Sequence, residues 1–253
     1  MSNELLLGDR EGLLAVAAAD TVKWCAPPDE KVAGKHLSDQ HWMRIFDPAS
    51  GGVVDAGTVH RFLVQFQLTN RVVWDKPAVA AAIERLRMVE DFDPVAGVTA
   101  LAEDLRACNT RGLRQTSAAS KLSVFAKPSA EVFIWDALAS LSALLRDRLR
   151  GDGRRGNARQ FLLPGGGHDY AAFHAACARA LAEERGRADF RDAVAEIDAR
   201  FRGQPGPMAD RDRVPLPFVE RRLLDKLMFW EGHILKYGAA SPAAGPDLPQ
   251  AAE

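Results

Sequence analysis

Apolar residues along this chain recur at intervals of three and four rather than two, a spacing that predicts helices almost throughout. Val59, Phe62, Leu63 and Phe66 form one such stripe, with Thr58 placed to cap it. Pro77, suited to a first helical turn, precedes Val79, Ala80, Ile83, Leu86 and Met88. Asp93-Pro94 punctuates the chain before a helix over 98–107. Thr116 or Ser117 begins the next helix and Lys127-Pro128 ends it, because the residue before a proline disfavours helical backbone. Asp136 caps a helix over 137–149 that fails at Gly151-Asp152-Gly153. Beyond the Pro164-Gly165-Gly166-Gly167 loop, His168 or Asp169 opens another helix, ending near Glu184. Residues 188–202 repeat Phe190, Val194, Ile197 and Phe201, and a last helix spans 218–237. Strand character is confined to Val132-Phe133-Ile134-Trp135, short enough for an extended linker. The pattern predicts an all-α, multi-helix globular fold. Residues 1–237 read as one helical domain, with a candidate boundary between two lobes, and a cleft, near 151–167. Residues 238–253, mostly Ala, Pro and Gly, read as a disordered tail.

Composition narrows the class without naming a function. The 253 residues are 47% hydrophobic and 26% charged, as in a soluble globular protein, and the net charge of −1 excludes a polyanion binder that works by bulk charge. Cys25, Cys108 and Cys177 are widely spaced and form no CxxC, so neither a zinc site nor a disulfide framework is expected. The histidines form no HExxH motif, and no metal or cofactor is expected. No apolar run reaches membrane-spanning length and no signal peptide is apparent, which predicts a cytoplasmic protein without membrane contact.

Two residues carry candidate chemistry. Lys121 lies in a segment that otherwise reads as buried helix, and Asp136 follows the apolar run 132–135 at the head of the next helix. An N-glycosidic bond breaks through a cationic, sugar-centred transition state, which a carboxylate stabilises or supplies with an oriented water. A desolvated lysine loses its proton more readily and attacks carbon as a neutral amine. The turn at Pro128 permits the two residues to share a pocket.

The run Ser120-Lys121-Leu122 with Phe125, then Pro128, then Ile134-Trp135-Asp136 resembles a segment of the helix-hairpin-helix DNA glycosylase superfamily. That resemblance covers residues 116–136 alone. It implies a mostly helical enzyme that acts on bases flipped out of DNA, with Lys121 as base-excising lysine and Asp136 as catalytic aspartate. Where the family has a Leu-Pro-Gly-x-Gly turn, this chain has Gly112-Leu113-Arg114-Gln115-Thr116-Ser117.

Further contacts are expected around this pair. Trp42, Trp74, Trp135 and His168 are candidate substrate-binding residues, because a base pocket uses aromatic faces. Arg146, Arg148, Arg150, Arg154, Arg155 and Arg159 form the densest basic stretch. From it Arg154, Arg155 and Arg159, together with Arg111 and Arg114, are candidate contacts to a DNA backbone. The expected function is excision of a modified base from DNA, with anti-phage defence as one setting. Two alternatives stand beside it. One is a non-catalytic helical module binding nucleic acid or protein, and the other a helical enzyme cleaving free nucleosides. The sequence leaves the oligomeric state and the base open.

Overall fold

The computed structural model describes residues 9–28, 30–32, 36–69, 72–151, 161–163 and 167–238. Among them are ten α-helices: α1 (Arg10–Trp24), α2 (Asp39–Phe46), α3 (Ala56–Gln65), α4 (Lys76–Arg87), α5 (Pro94–Ala107), α6 (Thr116–Ala126), α7 (Ala137–Arg150), α8 (Tyr170–Arg185), α9 (Ala188–Arg202) and α10 (Leu216–Tyr237). Two short 3-10 turns, Pro48–Ser50 and Pro207–Ala209, accompany them. The fold is therefore all-α. Its only sheet among the described residues is a two-stranded hairpin, β1 (Lys31–Val32) and β2 (His36–Leu37), paired antiparallel. Residues 152–160 and 164–166, most of the expected lobe boundary, and 239–253 of the expected tail lie outside the described residues.

Seven helices start at a side chain that accepts an early amide: Asp9, Ser38, Asp55, Asp75, Asp93, Asp136 and Asp169. Each such cap contributes about 1 kcal/mol. α6, α9 and α10 start without one. Thr58 is not the cap of its helix. Asp55 is, and its carboxylate takes the Thr58 N–H at 2.7 Å.

α10 is the organising helix and packs chiefly against α7 and α1, with further contacts to α8 and α9. α5 packs on α6 as a helical hairpin. The connecting loop is built on Asn109, whose amide nitrogen donates to the carbonyls of Leu105, Arg106 and Leu113. Its oxygen accepts from Arg111 and Leu113. Gly112, at φ +58°, completes the turn in the left-handed region that favours glycine. Buried apolar residues from Leu13 to Trp230, on both sides of 151–167, form one cluster.

The extended run 132–135 is wholly buried yet joins no strand, so its backbone needs other partners. The Tyr170 hydroxyl donates to the Phe133 carbonyl at 2.8 Å and accepts the Phe133 N–H at 3.2 Å. The Trp135 N–H goes to Ser120 Oγ at 2.9 Å.

The α7–α10 crossing depends on Gly232. A Cβ at that position would lie 2.1 Å from the carbonyl oxygen of Leu138, a backbone atom that cannot swing away. Gly232→Ala is therefore expected to cost at least the ~1–3 kcal/mol of an overpacked core and to lower Tm by several degrees. A melting curve superimposable on the wild type would show that the two helices separate freely.

Candidate functional site

Lys121 and Asp136 are brought together by one hydrogen bond between their neighbours. Ser120 Oγ accepts the Trp135 N–H, pinning the returning chain to α6 one residue before each member of the pair. The Lys121 ammonium donates to Ser117 Oγ, one turn back, at 2.8 Å. Its residue is half-buried, with the ammonium set into the protein. Burial pulls the lysine below its ordinary pKa, against the opposing pull of the Asp136 and Asp225 carboxylates. Asp136 is the N-cap of α7, where Oδ1 accepts the Leu138 N–H at 2.8 Å, so its position is fixed by the helix it starts.

α10 supplies the other half of the site. Arg222, Asp225 and Lys226 are spaced i, i+3 and i+4, which places them on one face of the helix. Arg222 reaches Asp39 Oδ2 through Nε at 2.9 Å and Nη2 at 2.7 Å, and Asp225 Oδ2 through Nη1 at 2.7 Å. Burial disfavours its charge, but the two carboxylates more than offset that and hold its proton. Burial raises Asp225 above the ordinary carboxylate range, with Arg222 opposing and Asp136 adding to the rise. Burial also lowers Lys226, and the Arg222 charge lowers it further. Lys226 Nζ lies 5.0 Å from the ring centroid of Trp24, which stacks on His36 at 5.7 Å. The site is completed by Asp20, which accepts the Trp230 indole N–H at 3.1 Å.

None of the α10 residues was legible as part of the site, because the helix reads as a core stripe. A signal was available. Three charged residues at 222, 225 and 226 interrupt an otherwise buried face, and a charge there needs a partner or a function.

The remaining candidates are distributed differently. Trp135 is buried and lies between His168, stacked at 4.4 Å, and Phe173, at 4.8 Å. Burial lowers the His168 pKa. Trp42 is fully buried against Phe46 and Phe62 and offers no face to a ligand. Trp74 is buried as well, its indole N–H donated to the Leu68 carbonyl at 2.7 Å. Both tryptophans belong to the buried core cluster. Arg111 is exposed, and Arg114 pairs with Glu103 at 3.3 Å. Arg154, Arg155 and Arg159 lie outside the described residues. Of the basic stretch they end, Arg146 is engaged by Glu231 at 2.6 Å and Glu184 at 2.9 Å. Arg150 is engaged by Asp147 and Glu183. Those two arginines hold α7 to α8 and α10 and are not a free basic face.

A cleft of about 750 Å³ opens at the other end of α6, lined among others by Arg87, Phe92, Phe125, Lys127 and Arg213. Neither Lys121 nor Asp136 lines it. Among the described residues no group of acidic, cysteine and histidine side chains is arranged to hold a metal ion, and no helix is long and apolar enough to cross a membrane. No protein-family model, curated protein or solved structure matches the chain, so its chemistry rests on the site itself.

Proposed function

We propose that the protein is a DNA glycosylase-like enzyme that cleaves the N-glycosidic bond of a modified base. The observation that carries this reading is the juxtaposition of a partly enclosed lysine, its proton loosened by burial, with a carboxylate fixed at a helix start. Lys121, as the neutral amine, attacks the sugar carbon as the base departs. Asp136 stabilises the positive charge that develops on the sugar and accepts the proton released by the attacking amine. The exposed Arg111 is suited to a DNA phosphate. DNA is the proposed partner, and a phage genome with modified bases is one setting in which such an activity serves defence.

The test is release of bases from duplex and single-stranded oligonucleotides carrying deaminated, oxidised, alkylated or hydroxymethylated bases, scored as abasic sites. Asp136→Asn keeps the cap geometry but removes the charge, and is expected to lower excision about 10²- to 10³-fold, the scale of one lost electrostatic stabiliser. Excision unchanged in Asp136→Asn would remove the aspartate from the chemistry. Binding without excision on every DNA, equal in wild type and variant, would favour a non-catalytic module. Cleavage confined to free nucleosides would favour the nucleosidase.

A further inference from the structure

We propose that Tyr170, with His174 one turn further along α8, is the positioning residue that sets where Asp136 stands; the role of that carboxylate rests on the base-excision reading above. Lys121 has Ser117 Oγ as its partner and Asp136 has the Leu138 N–H, and no hydrogen bond or ion pair joins one to the other. Their separation is therefore set by the backbone that carries each of them. Lys121 is carried by α6. Asp136 follows the extended run 132–135, which joins no strand and so has no ladder of its own to fix its register.

α8 supplies that register. The Tyr170 hydroxyl donates to the Phe133 carbonyl at 2.8 Å and accepts the N–H of the same residue at 3.2 Å. A residue in an extended chain offers both groups to one side, where a neighbouring strand would exchange two bonds with it. Here a single hydroxyl, donor and acceptor at once, takes that strand's place. A slip of one residue would point both groups away from it and turn every side chain of the run to the opposite face. Burial pushes the Tyr170 pKa up, so the hydroxyl keeps the proton it donates. His174 Nε2 meets the Glu131 carbonyl at 2.7 Å, and a carbonyl only accepts, so that nitrogen carries a proton. Just before the helix, the His168 ring stacks on Trp135 at 4.4 Å. The contacts thus run in order, 168 with 135, 170 with 133 and 174 with 131, along the whole approach to Asp136. Ser120 Oγ of α6 takes the Trp135 N–H and ties the same run to the helix of Lys121.

Tyr170 is buried, at 3% exposure, and hydrogen-bonds neither member of the pair, so it acts through the backbone alone. Losing its hydroxyl while keeping its ring leaves the buried Phe133 N–H and carbonyl without partners and frees the run to shift. A misplacement of about 1 Å is enough to cost about 10²-fold in a reaction that depends on orientation. Such a loss falls on the chemical step. DNA binding is untouched, because a buried tyrosine offers no surface to the duplex.

The test is a double-mutant cycle of Tyr170→Phe and Asp136→Asn, read as single-turnover base release over a range of concentrations of an oligonucleotide that the wild type processes. Tyr170→Phe is expected to lower the maximal rate about 10- to 10²-fold and to leave the half-saturating DNA concentration unchanged. In the Asp136→Asn background the same change is expected to add little, because the carboxylate it places is already gone. Equal losses in both backgrounds, or no loss in either, would make the tyrosine a structural residue and overturn the assignment, with the excision reading left standing. His174→Phe removes only the Glu131 contact, at a half-buried position, and is expected to show the same pattern at smaller amplitude. Should Tyr170→Phe not fold, an equal loss from His174→Phe in both backgrounds overturns the proposal in its place. Amide hydrogen exchange reads the positioning without substrate. The Trp135 and Leu138 amides are expected to lose protection in Tyr170→Phe while those of α9 keep theirs, and unchanged protection at both would overturn the assignment. Failure of the wild type to release any base would overturn the excision reading, and the exchange result would then decide by itself whether Tyr170 places Asp136.

Discussion

Lys121→Met is expected to abolish borohydride trapping on DNA and to lower base release by at least about 10³-fold, while leaving the fold as stable as the wild type or more so. Methionine matches the unbranched stem of lysine and fills the same volume without a charge. The loss of activity follows because a positioned nucleophile supplies an effective concentration that bulk water does not match. The gain or constancy of stability follows because burial makes the ammonium costly at this position, and the Ser117 contact is one hydrogen bond against that cost.

The same reasoning fixes a pH dependence. The folded pKa of Lys121 lies below its unfolded value. Between the two values the unfolded chain holds the extra proton, so wild-type stability rises with pH across that window. Below the folded value the full penalty is present, and above the unfolded value it is gone. Lys121→Met removes this contribution, and the variant's advantage therefore shrinks as pH rises from the folded value toward the unfolded one. Lys226 is shifted in the same direction, so part of the slope remains in the variant. A variant that melts well below the wild type at neutral pH would mark Lys121 as a structural residue, and loss of activity would then say nothing about catalysis. Chemical denaturation at two pH values, run beside the trapping assay, separates these cases.

Half of this site was legible in the sequence and half was not, for a physical reason. Asp136 announces itself because a helix-starting aspartate depends on local backbone, and α9 and the α7 cap appear where their periodicity puts them. α1 was not expected, because its buried face is only Leu13, Leu14, Ala17 and Thr21, too slight a stripe to register. α2 has eight residues, and its tryptophan was read as a ligand contact when it is the centre of the aromatic core. The α10 charges were hidden because their partners lie far away in the chain. Arg222 and Asp39 are 183 positions apart, and no local pattern links them. The arginine run after 146 misled for the converse reason. A sequence shows Arg146 and Arg150 as neighbours in a basic stretch but not Glu231, Glu184 and Glu183, which neutralise them from other helices.

Asp39→Ala is expected to be the most destabilising single change at the site, at about 3–5 kcal/mol, and adding Arg222→Met is expected to recover most of it. The two side chains are almost completely buried, so deleting Asp39 leaves the Arg222 charge with Asp225 alone in a medium that solvates it poorly. Replacing the pair by apolar groups removes both the attraction and the desolvation cost, which often leaves little net change. Urea titrations of the wild type, both single variants and the double variant close the cycle, and a double variant no more stable than Asp39→Ala would show that the pair is not what holds these helices. Asp39 and Arg222 thus fix where α10 meets α2, and the four proteins separate the attraction within the pair from the cost of burying it.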